Sequence, residues 1–67
     1  MSNDKFLDTM NRIVVALIER GYDPYAQLMG YIMENDLTYI TKHNDARQLI
    51  VDLDIALVKQ YVKEMET

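Results

Sequence analysis

Apolar and polar positions alternate along this chain with the period of an α-helix almost throughout. Phe6, Met10, Ile13 and Leu17 recur at spacings of four, three and four, and Leu7, Val14 and Ile18 form a second stripe beside them. Ser2, Asn3 and Asp4 are good capping residues, and Gly21 suits the left-handed position that follows many helix ends. The pattern predicts a first helix over residues 4–20. Asp23-Pro24 reads as an acidic cap followed by proline at the first helical position, where its missing N–H costs nothing. Tyr25, Leu28, Met29 and Ile32 follow at i, i+3, i+4 and i+7, which predicts a second helix over 24–34. Gly30 lies inside it at a cost of about 1 kcal/mol relative to alanine. Close approach of another backbone, and so tight helix packing, is the expected return. Asn35-Asp36 marks a break, with Asp36 placed to cap a short turn over 37–41.

After the polar stretch Lys42-His43-Asn44-Asp45 the helical pattern resumes. Ala46, Leu49, Ile50, Leu53, Leu57, Tyr61 and Met65 fit one face, while Asp45, Asp52, Lys59 and Glu66 repeat every seven residues opposite. A last helix is predicted over 44–64, with a bend near Asp52–Asp54 because aspartate is a weak helix former. No segment has the two-residue alternation of a strand. The expected fold is all-α: one domain over 1–67, a small bundle of three main helices plus a short helical turn.

Size then changes the picture. A 67-residue domain buries only roughly 60% of the surface its unfolded chain exposes. Small domains usually add disulfides, a metal or a partner chain. Cysteine is absent and His43 is the single histidine, so neither a disulfide nor a thiolate metal site is available. No cofactor is expected. An amphipathic helix needs an apolar stripe roughly 100° wide to meet one core, yet the unbroken run Ile13–Ile18 wraps the whole first helix. A homodimer that places this helix at its interface is expected, with Phe6, Met10, Ile13, Val14, Leu17 and Ile18 as dimer or core residues.

Seven Lys+Arg against eleven Asp+Glu give a net charge of −4, which repels phosphate backbones and anionic membranes. The start, Met1-Ser2-Asn3-Asp4, lacks the basic and apolar regions of a secretory signal. The longest apolar run is far short of the roughly 20 residues that cross a bilayer. A cytoplasmic location is expected.

Catalytic chemistry has little to work with. The only serine, Ser2, lies at a terminus with no positioned base. Asp52 and Asp54 stand two apart, which on a helix puts them on different faces. No enzyme is expected. Lys42, His43 and Arg47 form a short basic cluster, readable as a contact patch for an acidic partner or as a polar turn. Tyr22, Tyr25, Tyr31, Tyr39 and Tyr61 could stack bases, but they fall at or near core positions. Thr9, Thr38 and Thr41 have no basic or proline-directed context that singles one out. An alternative reading is a helix-turn-helix whose recognition helix opens Asn44-Asp45-Ala46-Arg47-Gln48, able to read base edges. The scarcity of phosphate-binding cations argues against it.

The run Gly21-Tyr22-Asp23-Pro24, then Gln27, then Gly30-Tyr31, fits the pattern G-Y-[ND]-P-x-x-Q-apolar-x-G-Y-apolar at every fixed position. Asp36, Tyr39, Ile40, Asn44, Ala46 and Arg47 continue it, and on these residues the chain resembles the IreB family of small regulatory phosphoproteins. The resemblance covers essentially the whole chain. It implies an all-helical homodimer without enzymatic activity and a regulatory role in Gram-positive cell-envelope synthesis. Members of that family are substrates of a membrane Ser/Thr kinase and influence proteolytic turnover of an early peptidoglycan-precursor enzyme. A protease component or a cell-wall precursor enzyme is thus the implied partner. Members carry phosphoacceptor threonines in an extension before the first helix. This chain begins almost at that helix, so the switch is expected to be missing, and Thr9 is no match for it. Val51, Asp52 and Ile55 stand where the family is polar or charged, leaving Lys42 and Arg47 as the matching basic positions. The residues thus point to a helical protein that binds proteins, itself first, through Lys42, His43 and Arg47.

Overall fold

Helix α1 spans Ser2–Glu19. It ends where Gly21 takes φ +83°, letting the Gly21 N–H reach Ile18 O and the Tyr22 N–H reach Leu17 O, each at 2.9 Å. This paired closure uses the left-handed conformation that glycine enters without penalty. The computed structural model describes residues 2–66, with side chains from Asp4 onward. The caps expected of Ser2 and Asn3 lie outside the described side chains.

Helix α2 spans Pro24–Glu34, with the Asp23 carboxylate accepting from the N–H groups of Tyr25 (3.0 Å) and Ala26 (3.4 Å). It stops at Asn35, whose φ of 51° turns the chain out of the helix. Asp36 then caps a single 3-10 turn, Leu37–Tyr39, shorter than the 37–41 expected. A second tight turn, His43–Asp45, leads into α3, Ala46–Val51, and α4, Ile55–Met65.

The last helix expected over 44–64 is therefore two helices, and its start is displaced. Asn44 and Asp45 are left-handed (φ 52° and 62°), so helical geometry begins only at Ala46. At the other end Asp54 is extended (ψ 119°), and its carboxylate accepts the Ala56 N–H at 2.9 Å. Aspartate offers the backbone a local partner that competes with continuing the helix; the weak helix former foreseen as a bend is a full restart. The restart also shifts the phase. Val58 and Val62 enter the core, whereas Leu57 and Met65, expected inward, are each 37% exposed.

One core results, to which every helix contributes: Met10, Ile13, Ala16 and Leu17 from α1, Leu28 from α2, Ala46 and Ile50 from α3, Val58 and Val62 from α4. Ile40, in the segment between the two turns, is also fully buried. α1 packs chiefly on α3, and α2 on α4 and the Leu37–Tyr39 turn. Phe6 and Tyr61 meet edge to face, centroids 6.2 Å apart, joining α1 to α4. No described polar side chain is buried, so apolar contact alone carries the interior. The chain is all-α, with no strand among the described residues.

Candidate functional site

Between α2 and α3 the backbone leaves regular structure, and its carbonyls need partners from elsewhere. Three successive carbonyls find them. Tyr39 O accepts from the Gln27 side-chain amide (2.9 Å), Ile40 O from Arg47 Nε (2.8 Å) and Thr41 O from the Arg47 backbone N–H (3.0 Å). α2 and α3 thus tie the connector from opposite ends. Asp36 anchors its start, accepting from the Thr38 N–H (2.9 Å) and the Thr38 hydroxyl (2.7 Å). Those two bonds, aided by the charge of Arg47, hold the Asp36 carboxyl below its usual range.

Gly30 belongs to the same construction. A Cβ there would lie 2.9 Å from Tyr39 Cγ and closer still to Cδ1 and Cε1. The close approach expected of Gly30 is real, but the visitor is the Tyr39 ring, not another helix backbone. The turn capped by Asp36 delivers that ring nine positions later, and only a residue without a side chain leaves it room. The pattern residues thus share a structural task. Gly21 closes α1, Asp23 and Pro24 start α2, Gln27 and Arg47 hold carbonyls, Gly30 seats Tyr39, and Ala46 packs fully buried at the start of α3. Tyr22 is 48% exposed, and Tyr31 packs half-buried against the core.

The basic cluster is only partly free. His43 Nε2 lies 2.9 Å from Glu19 Oε1, and Asn44 Nδ2 donates to the same oxygen at 3.2 Å, fastening the second turn to the end of α1. Arg47 is engaged with Ile40, while the Lys42 side chain is exposed. The three residues are neighbours in the chain, but two of them serve the fold. Glu19 was invisible in this role from sequence; its only signal is a charge complementary to His43. Asn44 and Arg47, the base readers of a helix-turn-helix reading, are both committed, and α3 is only six residues long.

The uncommitted surface of α1 is apolar. Leu7 is 49% exposed, Val15 43% and Ile18 56%, so the two ends of the second stripe of α1 face outward with Val15 beside them, while Val14 in its middle is half-buried. Of the six residues expected at the core or dimer face, Met10, Ile13 and Leu17 are fully buried, Phe6 and Val14 half-buried, and Ile18 is outside this chain's core. α2 and α3 occupy the Ile13–Leu17 side of α1, leaving this outer side bare. Its N-terminal end continues onto α4, because Leu7 and Leu57 line one depression together with Phe6 and Tyr61. Just past the end of α4 lies Glu66, and the Tyr25 hydroxyl is pushed above its usual pKa by partial burial and by that carboxylate.

Among the described residues no group of three His, Cys, Asp or Glu side chains could hold a metal ion. No helix among the described residues is long and apolar enough to cross a membrane. The sequence matches the family described as IreB regulatory phosphoprotein over residues 1–64. A relative described as a UPF0297 protein, from Lachnoclostridium phytofermentans, is 47% identical over 47 residues, which is 70% of this chain and 53% of that protein. The chain thus matches about half the length of that curated relative. With the family pattern accounted for position by position in the fold, the chain belongs to the IreB family of regulatory phosphoproteins.

Proposed function

We propose that this chain is a non-enzymatic cytoplasmic regulator that acts by binding proteins, a second copy of itself first and then a component of cell-envelope synthesis. The observation that carries the reading is the outward stripe of α1, with Leu7 and Ile18 about half exposed and continuous with Leu57 on α4. A monomer this small gains most by covering such a surface. Family membership supplies the regulatory role, and its resemblance to regulators of peptidoglycan-precursor synthesis points to a protease component or a precursor enzyme as the second partner. Lys42, exposed beside Arg47 and His43, is the cation best placed to meet that partner.

Sedimentation equilibrium tests the first step. The wild-type chain is expected to be a dimer, and Leu7→Asp with Ile18→Asp a folded monomer with unchanged helicity. A wild-type monomer at all concentrations would refute self-association. Crosslinked capture from host lysate tests the second step: recovery of a protease component or a wall-precursor enzyme supports it, and recovery of the chain alone counts against it.

A further inference from the structure

We propose that the groove between the first half of α1 and α4 docks a basic amphipathic helix of a partner protein, and that a second copy of this chain is left the Val15–Ile18 end of the apolar surface. The inference rests on the protein-binding reading above and deepens it, by dividing the surface and giving the partner a chemistry. Asp4, Leu7, Asp8 and Asn11 stand at i, i+3, i+4 and i+7 on α1, all exposed. Leu57, Gln60, Tyr61 and Glu64 repeat that spacing on α4, with only Tyr61 half-buried. Residues so spaced share one face of a helix. The two faces meet, because Leu7 and Tyr61 both line each of two adjoining depressions. A face from i to i+7 runs about 10 Å along its axis. Two such faces side by side form the kind of groove into which a third helix packs.

The charge of this groove is one-sided. Its apolar lining is Phe6, Leu7, Leu57 and Tyr61, and its charged lining is Asp4, Asp8 and Glu64. Among the described residues no cation lines either depression. Lys59 and Lys63 line a separate depression farther round α4, and Arg12 lines one on the Val15 side of α1. The Asp8–Arg12 pair is loose, 3.9 Å with both side chains 71% exposed, so an incoming cation replaces it with little loss. A partner that fits must bring apolar side chains with Lys or Arg beside them, which a basic amphipathic helix does. A second copy seated face to face would set Asp4, Asp8 and Glu64 against their equals, on a chain already at net charge −4. Like charges so placed oppose association. At the other end Val15 stands beside both Arg12 and Asp45, a mixed setting that self-association tolerates. The carboxylates of the groove equally oppose an anionic bilayer.

Residue-resolved NMR of the isotope-labelled full chain decides the matter, with a synthetic amphipathic Leu/Lys helix of about five turns as the probe. The peptide is expected to move the resonances of Leu7, Asp8, Leu57 and Tyr61 and to leave Val15 and Ile18 in place. A scrambled peptide of the same composition keeps the cations and loses the apolar face, so it should bind at least about tenfold more weakly. Equal binding would mean bulk attraction to an acidic chain and would overturn the site. Leu7→Gln should weaken the amphipathic peptide by about tenfold with helicity unchanged; unchanged affinity overturns the docking. Asp8→Lys with Glu64→Lys should reverse the preference, toward a Leu/Glu helix. The same preference in both chains overturns the partner's charge. Perturbations gathered at Val15 and Ile18 overturn the location. Leu7 and Leu57 resonances that move when the chain alone is diluted put the second copy in the groove, and also overturn it. Sedimentation reports self-association separately. A monomer that binds the peptide at Leu7 sinks only the dimer, and a dimer that does not bind it sinks only this groove.

Discussion

α1 and the connector between α2 and α3 are held in opposite ways. α1 contributes four fully buried apolar residues and leaves Leu7, Val15 and Ile18 uncovered. The connector contributes one, Ile40, and is held mainly by hydrogen bonds reaching in from Gln27, Asp36 and Arg47. Apolar burial is non-directional and tolerates change on an outer face. Hydrogen bonds to otherwise orphaned carbonyls depend on particular side chains, and losing one leaves a polar group unmatched. The surface free to acquire partners is thus the apolar one, and the region richest in pattern residues is the fastening.

The largest effect should come from the place where the connector packs directly on α2. Gly30→Leu should cost about 2–3 kcal/mol by thermal or urea denaturation, because the Tyr39 ring occupies the space. Gly30→Ala should cost less, since alanine regains about 1 kcal/mol of helix propensity. In a Tyr39→Leu background the alanine change should become stabilising by that amount, and a persistent penalty there would dissociate Gly30 from Tyr39. Next in size, Arg47→Met should cost roughly 1.5 kcal/mol through the unmatched Ile40 carbonyl. Lys42→Glu, on an exposed neighbour, should stay within about 0.5 kcal/mol. Equal costs would return both residues to a common surface patch.

Smallest are the pH effects, which separate the two regions at opposite ends of the scale. Asp36 has a depressed folded pKa, so its contribution is present above the ordinary carboxylate value and is lost as pH falls through the folded one. Tyr25 has a raised folded pKa, so its contribution is present below the ordinary tyrosine value and is lost as pH rises through the folded one. Acid should loosen the Leu37–Tyr39 turn first, and alkali the α2–α4 contact at Glu66. Residue-resolved amide exchange at both extremes checks the assignment.

Much of this was legible from residue order. Asp23-Pro24 announced α2, Gly21 announced the end of α1, and the Leu7–Val14–Ile18 stripe was visible as a second face. What escaped was whatever depended on distant residues or on a break in phase. Nothing near Gln27 says that its amide will meet a carbonyl twelve positions on. Asp52-Leu53-Asp54 reads as a bend because aspartate is a weak helix former, yet Asp54 caps Ala56, and the restart exchanges Leu57 for Val58 in the core. Lys42, His43 and Arg47 read as one patch because neighbouring like charges in a turn are usually solvated. Glu19, remote in sequence, and the Ile40 carbonyl, seven residues before Arg47, divide them.

The three tied carbonyls at Tyr39, Ile40 and Thr41 have a consequence for divergence. Gln27 and Arg47 fasten the connector from within the bundle, so their constraint does not extend to the outer faces of α1 and α4. Substitutions at Leu7, Ile18, Leu57 and Lys42 can therefore change what this chain associates with and leave the joint between α2 and α3 intact.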